Sequence, residues 1–207
     1  METSRVLKFL EKEIHSVIMA TVGDDGLPVT CAADIMDSDE KGLYFLTAKG
    51  KGFYNRLKNN GYVALTGMKG SDTLSCVAVS VRGRVREIGS SLLQQIFEKN
   101  SYMNEIYPTE QSRGALTVFQ LYEGDGEWFD LSKKPIERFS FTIGGAQEKI
   151  QGFEITKRCT GCKACENVCP QNCIEFTNVP AVINQKHCLH CGKCLEICPQ
   201  KAVVRRK

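Results

Sequence analysis

Nine of the chain's 11 cysteines fall between Cys159 and Cys198, and they repeat. Cys159, Cys162, Cys165 and Cys169-Pro170 recur 29 residues later as Cys188, Cys191, Cys194 and Cys198-Pro199. Regular short spacings of this kind, in a chain whose start (METSRVLKFLEKEIHSV) shows no apolar leader core, point to metal ligands rather than disulfides. No run approaches the roughly 18 apolar residues of a membrane span. A reducing, cytoplasmic setting is expected, with no membrane association.

Each copy of the repeat reads C-x2-C-x2-C-x3-C-P. Three thiolates, each three positions after the last on a tight loop, can cap three corners of one cubane. The fourth, followed by proline, lies where the chain leads away and reaches a second cluster. This pattern resembles the bacterial two-cluster ferredoxins. It assigns one 4Fe–4S cluster to Cys159, Cys162, Cys165 and Cys198, and another to Cys188, Cys191, Cys194 and Cys169. A pair of zinc sites is the competing reading, but it leaves the third cysteine and the Cys-Pro of each copy without a purpose. His187 and His190 flank the second copy; with only one Cys-x-His half for a Rieske centre, they are expected to be loop residues. Cys173 has Ala202 as its counterpart, so it is expected to pack as a small apolar side chain beneath a cluster.

Charge follows the cysteines. Residues 151–207 carry nine Lys/Arg against four Glu, a formal +5, whereas the first 150 residues come to −2. Compensation of anionic clusters explains this better than a nucleic-acid-binding tail, and the overall +3 is too mild for a nucleic-acid partner.

The first 143 residues have a different grammar. Val6, Leu7, Leu10 and Ile14 stand at helical spacing, with Thr3 or Ser4 as the expected N-cap. VIMATV, the turn DDG and LPVTCAADIM read as a hairpin. GLYFLT is a compact strand, FYNRLKNN a short helix ended by Asn60-Gly61, and YVALTGM and SCVAVSVRGRVREI are strands. SLLQQIFEKN is helical, and ALTVFQLYE and GEWFDL read as two closing strands. The expected fold is mainly β with short helices, a split β-barrel followed by a small ferredoxin-like iron–sulfur domain. The boundaries fall at 1–143 for the barrel, 144–151 for a linker and 152–207 for the cysteine-rich domain.

The barrel half lacks a G-x-G-x-x-G, and TAKGKGF is not a P-loop. A strand leading through Lys49, Gly50, Lys51 and Gly52 into a helix start nonetheless has the chemistry of a phosphate cradle; a solvated basic turn is the plain alternative. The order of GLPVTCAAD, GLYFLT, a basic glycine turn, LKNNGYVAL and CVAVSVRGRV resembles the pyridoxamine 5′-phosphate oxidase-like split barrel. That resemblance implies FMN at a homodimer interface. Thr30 and Ala32 would line the flavin edge, Thr47 would bond the cofactor, and Lys51 and Gly52 would hold the phosphate with Lys49 close by. Thr30 stands where family members often have arginine, and Gly52-Phe53 where they have an Arg-Lys pair. The oxidase activity itself is not expected, because GEWFDLSKKPIERF lacks the family's histidine-containing run. Trp128 is expected near the flavin, or else in the core or at the dimer interface, and Cys31 and Cys76 are expected to fill the core.

The expected function is that of an FMN and iron–sulfur oxidoreductase whose partner is a redox protein or a nicotinamide cofactor. A non-enzymatic carrier whose barrel only dimerises the protein is the alternative. A barrel that binds haem or a deazaflavin is a third reading, and haem is disfavoured because His15 is the one histidine outside the tail.

Overall fold

In a computed structural model of the chain, residues 2–147 and 151–206 are described. Helix α1 (Glu2–Phe9) runs on as a π-helical turn over Leu10–Ile14. Val6, Leu7 and Leu10 form its buried stripe, as their spacing requires. Thr3 and Ser4 do not cap it. The helix begins at Glu2, so both lie inside its first turn, where the backbone is already helical. The π turn closes where the His15 N–H reaches the Leu10 carbonyl, 2.8 Å away, with His15 at φ 62°.

Strands β1 (Ser16–Val22) and β2 (Pro28–Asp39) form the expected hairpin, Val22 opposite Pro28. β3 (Gly42–Ala48) leads into α2 (Gly52–Asn60). Gly61 ends that helix in the left-handed region, its N–H donating to Leu57 O at 2.9 Å. β4 (Tyr62–Lys69) and β5 (Val77–Gly89) follow, then α3 (Leu93–Lys99) and two short helices that no periodicity announced, α4 (Met103–Ile106) and α5 (Glu110–Arg113).

β6 (Leu116–Asp130) is one strand of 15 residues where two were expected, and β7 (Glu137–Ile143) was not expected. The two differences share a cause. The first half of β6 pairs with β3 and its second half with β7, while β5 runs along its other edge. A strand that changes partners midway needs a bend, and the β5–β6 register skips Tyr122 there, just before the Gly83–Gly124 pair. EGDG is therefore a bend within a strand and not a turn.

The sheet order is β3-β2-β1-β4-β5-β6-β7, and the added β3–β6 pairing closes six strands into a barrel. Its core contains Leu10, Met19, Ile35, Phe45, Phe119 and Leu121, each almost fully buried. Each such side chain contributes roughly 1.5–3 kcal/mol on leaving water.

β7 ends at Ile143, and the next strand, β8, spans Phe153–Ile155. Of the linker expected over 144–151, residues 148–150 lie outside the described residues. Beyond it come β9 (Ile174–Glu175), β10 (Val182–Ile183), α6 (Lys193–Ile197) and β11 (Val203–Arg205). β8 pairs with β11 and β9 with β10, both antiparallel. The whole is mainly β with short helices, a split barrel followed by a small ferredoxin-like unit. No helix among the described residues is long and apolar enough to cross a membrane.

Candidate functional site

The two cysteine copies share one backbone path. Gly161 and His190 hold φ of 71° and 56°, Lys163 and Gly192 hold 62° and 81°, and Asn172 and Lys201 hold 48° and 47°. Each pair is 29 residues apart, so the sequence repeat is also a repeat of left-handed turns. His190 therefore occupies a glycine-like turn position and presents its backbone N–H to sulfur.

These turns sort the thiols around two small cavities. One is lined by Cys159, Cys162, Cys165 and Cys198, with Ile155 and Phe176. The other is lined by Cys188, Cys191, Cys194 and Cys169, with Phe153 and Ile183. The structure thus places the fourth cysteine of each copy with the first three of the other. Among the described residues no three His, Cys, Asp or Glu side chains converge as they would on a single metal ion.

Backbone N–H groups aim at sulfur in matched pairs. Gly161 donates to Cys159 Sγ and His190 to Cys188 Sγ, each at 3.4 Å. Cys173 N donates to Cys169 Sγ at 3.4 Å and Ala202 N to Cys198 Sγ at 3.3 Å. Such donors favour thiolate over thiol. Burial pushes the Cys198 thiol up, but the N–H groups of Ala202, Gln200, Val203 and Lys201 outweigh it and hold Cys198 below its ordinary value. Burial dominates at Cys165, which is raised, and at Cys194, which is pushed up to about 11. Cys188 is drawn down to about 6, chiefly by the hydrogen bond from Cys173.

The second cavity lies against the barrel. His187 Nδ1 lies 2.7 Å from the Ile136 carbonyl oxygen, immediately before β7. The Arg138 guanidinium, bonded to Glu127 at 2.5 Å, stands close enough to Cys188 and His190 to lower both their pKa values. Burial is the larger cause at His190.

The barrel's own candidate site sits where β3 runs into α2. Lys49 and Lys51 are exposed, and the Lys51 N–H closes the turn onto Ala48 O at 3.1 Å. Lys51 is the N-cap residue of α2, with extended backbone and no side-chain cap, so the first-turn N–H groups of the helix face outward. Thr30 and Ala32 are exposed on the outer face of neighbouring β2. Thr47 is buried, its hydroxyl 3.5 Å from its neighbour Ala48's carbonyl oxygen.

One residue was missed. Arg56, one helical turn after Gly52, donates from Nε to Thr21 Oγ1 at 2.8 Å. A Cβ placed on Gly52 would stand 3.2 Å from its Nη1. Half-buried Cys31 lies beside this charge; burial raises its thiol, and Arg56 and then Lys51 draw it back. Lys51, Gly52 and Arg56 therefore make one cationic cluster. The i, i+4 spacing of Gly52 and Arg56 was the available signal. Cys76 fills the core as expected, and Trp128 is also a core residue, 5.9 Å from Phe139 in a stacked pair and 4.9 Å from Phe9 edge-on.

Residues 3–122 match the sequence profile of pyridoxamine 5′-phosphate oxidase. The chain belongs to that family. Residues 158–202 match a 4Fe-4S dicluster domain, so this family member carries a ferredoxin-type unit behind its barrel. A search of curated proteins finds no match. Among solved structures, the barrel is similar to a nimc/nima family protein from Clostridium acetobutylicum. Identity is 19%, with 67% of this chain and 90% of that one covered and a TM-score of 0.56. A protein from the same organism related to general stress protein 26 gives 17% identity, 69% and 95% coverage, and a TM-score of 0.54. A heme binding protein from Mycobacterium smegmatis gives 12% identity, 68% and 57% coverage, and a TM-score of 0.51. At these identities the likeness is one of fold.

Proposed function

We propose that this family member is a redox protein whose barrel binds FMN and whose C-terminal unit binds two 4Fe–4S clusters, with electrons passing between the two parts. The observation that carries this reading is the sorting of eight cysteines into two crossed sets, each around its own cavity, one of them against the barrel. Cys159, Cys162, Cys165 and Cys198 hold one cluster, and Cys188, Cys191, Cys194 and Cys169 the other. Lys51, Gly52 and Arg56 hold the flavin phosphate with Lys49 alongside, Thr30 and Ala32 border the ring system, and Thr47 closes the strand end beneath it. Bound in these places, FMN supplies two-electron chemistry and the clusters supply single-electron steps. The chain's own part is to hold thiolate charge with backbone N–H groups, to neutralise phosphate with Arg56 and Lys51, and to keep one cluster against β7.

The reading divides the chain at 144–151 and joins two copies through the barrel. Ile18 and Met68, 54% and 64% exposed, share the outer face of β1, β2 and β4 with Thr30 and Ala32. A second copy covering that face would shield apolar surface and border the flavin site together. The electron donor or acceptor outside the chain is a redox protein or a nicotinamide cofactor.

Haem is the second reading, suggested by the heme binding protein of like fold. It is the weaker one here. Outside the tail the chain offers His15, whose Nε2 lies 2.8 Å from Tyr102 Oη and whose Nδ1 lies 3.3 Å from Glu11 O.

Anaerobic purification with metal, sulfide, flavin and haem counts tests the proposal. About eight irons per chain with equimolar FMN is the expected result. Zinc in place of iron overturns the cluster assignment, and a protein that takes up haem but not FMN overturns the flavin assignment. NADH bleaching the flavin marks a reductase; reduction by dithionite alone marks the carrier.

A further inference from the structure

The two cluster cavities share one backbone plan and differ by a thiol. Both have the same left-handed turns, and both have an N–H to the first cysteine of the copy and to the fourth. At the position four residues after that fourth cysteine, one cavity receives the methyl of Ala202, 1% exposed. The other receives the thiol of Cys173, 5% exposed, and its Sγ lies 3.5 Å from Cys169 Sγ. Cys173 also lines that cavity among the four proposed ligands. It is therefore more than an apolar filler.

We infer that Cys173 is a positioning residue that donates an S–H···S hydrogen bond to a ligand thiolate of its own cluster, Cys169 or Cys188, and raises that cluster's potential. The inference rests on the cluster assignment proposed above. Either of these as a ligand carries no proton, so in the pair Cys173 is the donor. A cluster gains negative charge on reduction, and a hydrogen bond to a ligand sulfur offsets it, so the donor favours the reduced state. Ala202 makes no such bond. The cluster held by Cys169 and the second-copy cysteines is thus held at the higher potential relative to its value without Cys173. It is also the one seated against the barrel through His187. The bond therefore shifts residence of an electron toward the barrel side, relative to a chain without it.

The test is an anaerobic redox titration of the holoprotein followed by EPR, with iron counted in every sample. Cys173→Ala should keep all its iron while one of the two reduction waves moves to lower potential. At a fixed potential near that midpoint, the reduced-to-oxidised ratio of that cluster should fall about threefold to tenfold, the worth of one ordinary hydrogen bond. Cys173→Ser should restore the wave, since a hydroxyl donates to the same sulfur. Ala202→Cys should raise the other wave. Loss of about four irons from Cys173→Ala would show Cys173 to be a ligand and overturn the inference, as would full iron with neither wave moved. A wild-type protein without iron would instead bring down the cluster assignment itself.

Discussion

At the scale of single residues, the proposed flavin site calls for positive charge at the β3–α2 turn. Arg56 meets it from an unexpected side. Its Nε is committed to Thr21, which fixes the guanidinium plane and leaves the Nη edge toward Gly52 and the open first turn of α2. A charge-assisted bond to phosphate is about twice the strength of a neutral one, so Arg56→Ala should weaken FMN binding by about tenfold to a hundredfold. Riboflavin, which lacks the phosphate, should bind the variant and the parent equally. Fluorescence titration with both flavins separates the roles; equal losses for the two would make Arg56 a scaffold residue. The grouping of the cysteines around two cavities was legible because covalent spacing limits which thiols can meet. Arg56 was not, because it becomes part of the site only when α2 packs over Thr21 of β1, a contact 35 residues away in sequence.

At the scale of elements, the barrel depends on β6 bending as it leaves β3 for β7. Gly83 and Gly124 lie opposite one another in the β5–β6 ladder at this bend. A Cβ on Gly124 would stand 2.3 Å from the Arg82 carbonyl oxygen and 2.9 Å from Gly83 Cα. Both obstacles are backbone, so the strands must part. Gly124→Ala is expected to cost about 2–3 kcal/mol, read by chemical denaturation. Gly145→Ala, with nothing within 4 Å of the added methyl, is the control and should cost next to nothing. Equal stability of the two variants would refute this account of the bend. The hairpin β1–β2 and the Gly61 stop were readable because turn chemistry is local. The continuity of β6 was not, since EGDG has the composition of a turn and only the facing glycine of β5 makes it a strand. β7 escaped notice for a related reason: ERFSFTI alternates, but its polar positions Glu137 and Arg138 read as a loop until Arg138 is seen bonded to Glu127 on β6.

At the scale of the whole molecule, the question is whether the barrel and the cysteine-rich unit act as one body. The sequence indicated two parts and a linker, and nothing in it showed that they touch. The seam includes Ile136, immediately before β7, and His187, one residue before the proposed cluster ligand Cys188. Interfaces between domains of a chain are often small and polar, and relative motion is the default unless specific contacts resist it. Here the Nδ1 contact of His187 with the Ile136 carbonyl oxygen, 2.7 Å, joins the cluster loop directly to the barrel. His187→Ala removes it without touching a ligand, so iron and flavin content should not change. The loss of about 1 kcal/mol falls on the smaller unit, whose own core around Phe153, Ile174, Ile183 and Val203 is small. Bleaching of the cluster absorbance on heating should therefore shift down by about 5 °C, while the circular-dichroism Tm of the barrel stays in place. If both transitions fall together, the two parts melt as one cooperative body and the seam is wider than this bond. If neither moves, the bond contributes nothing to the stability of the cluster loop.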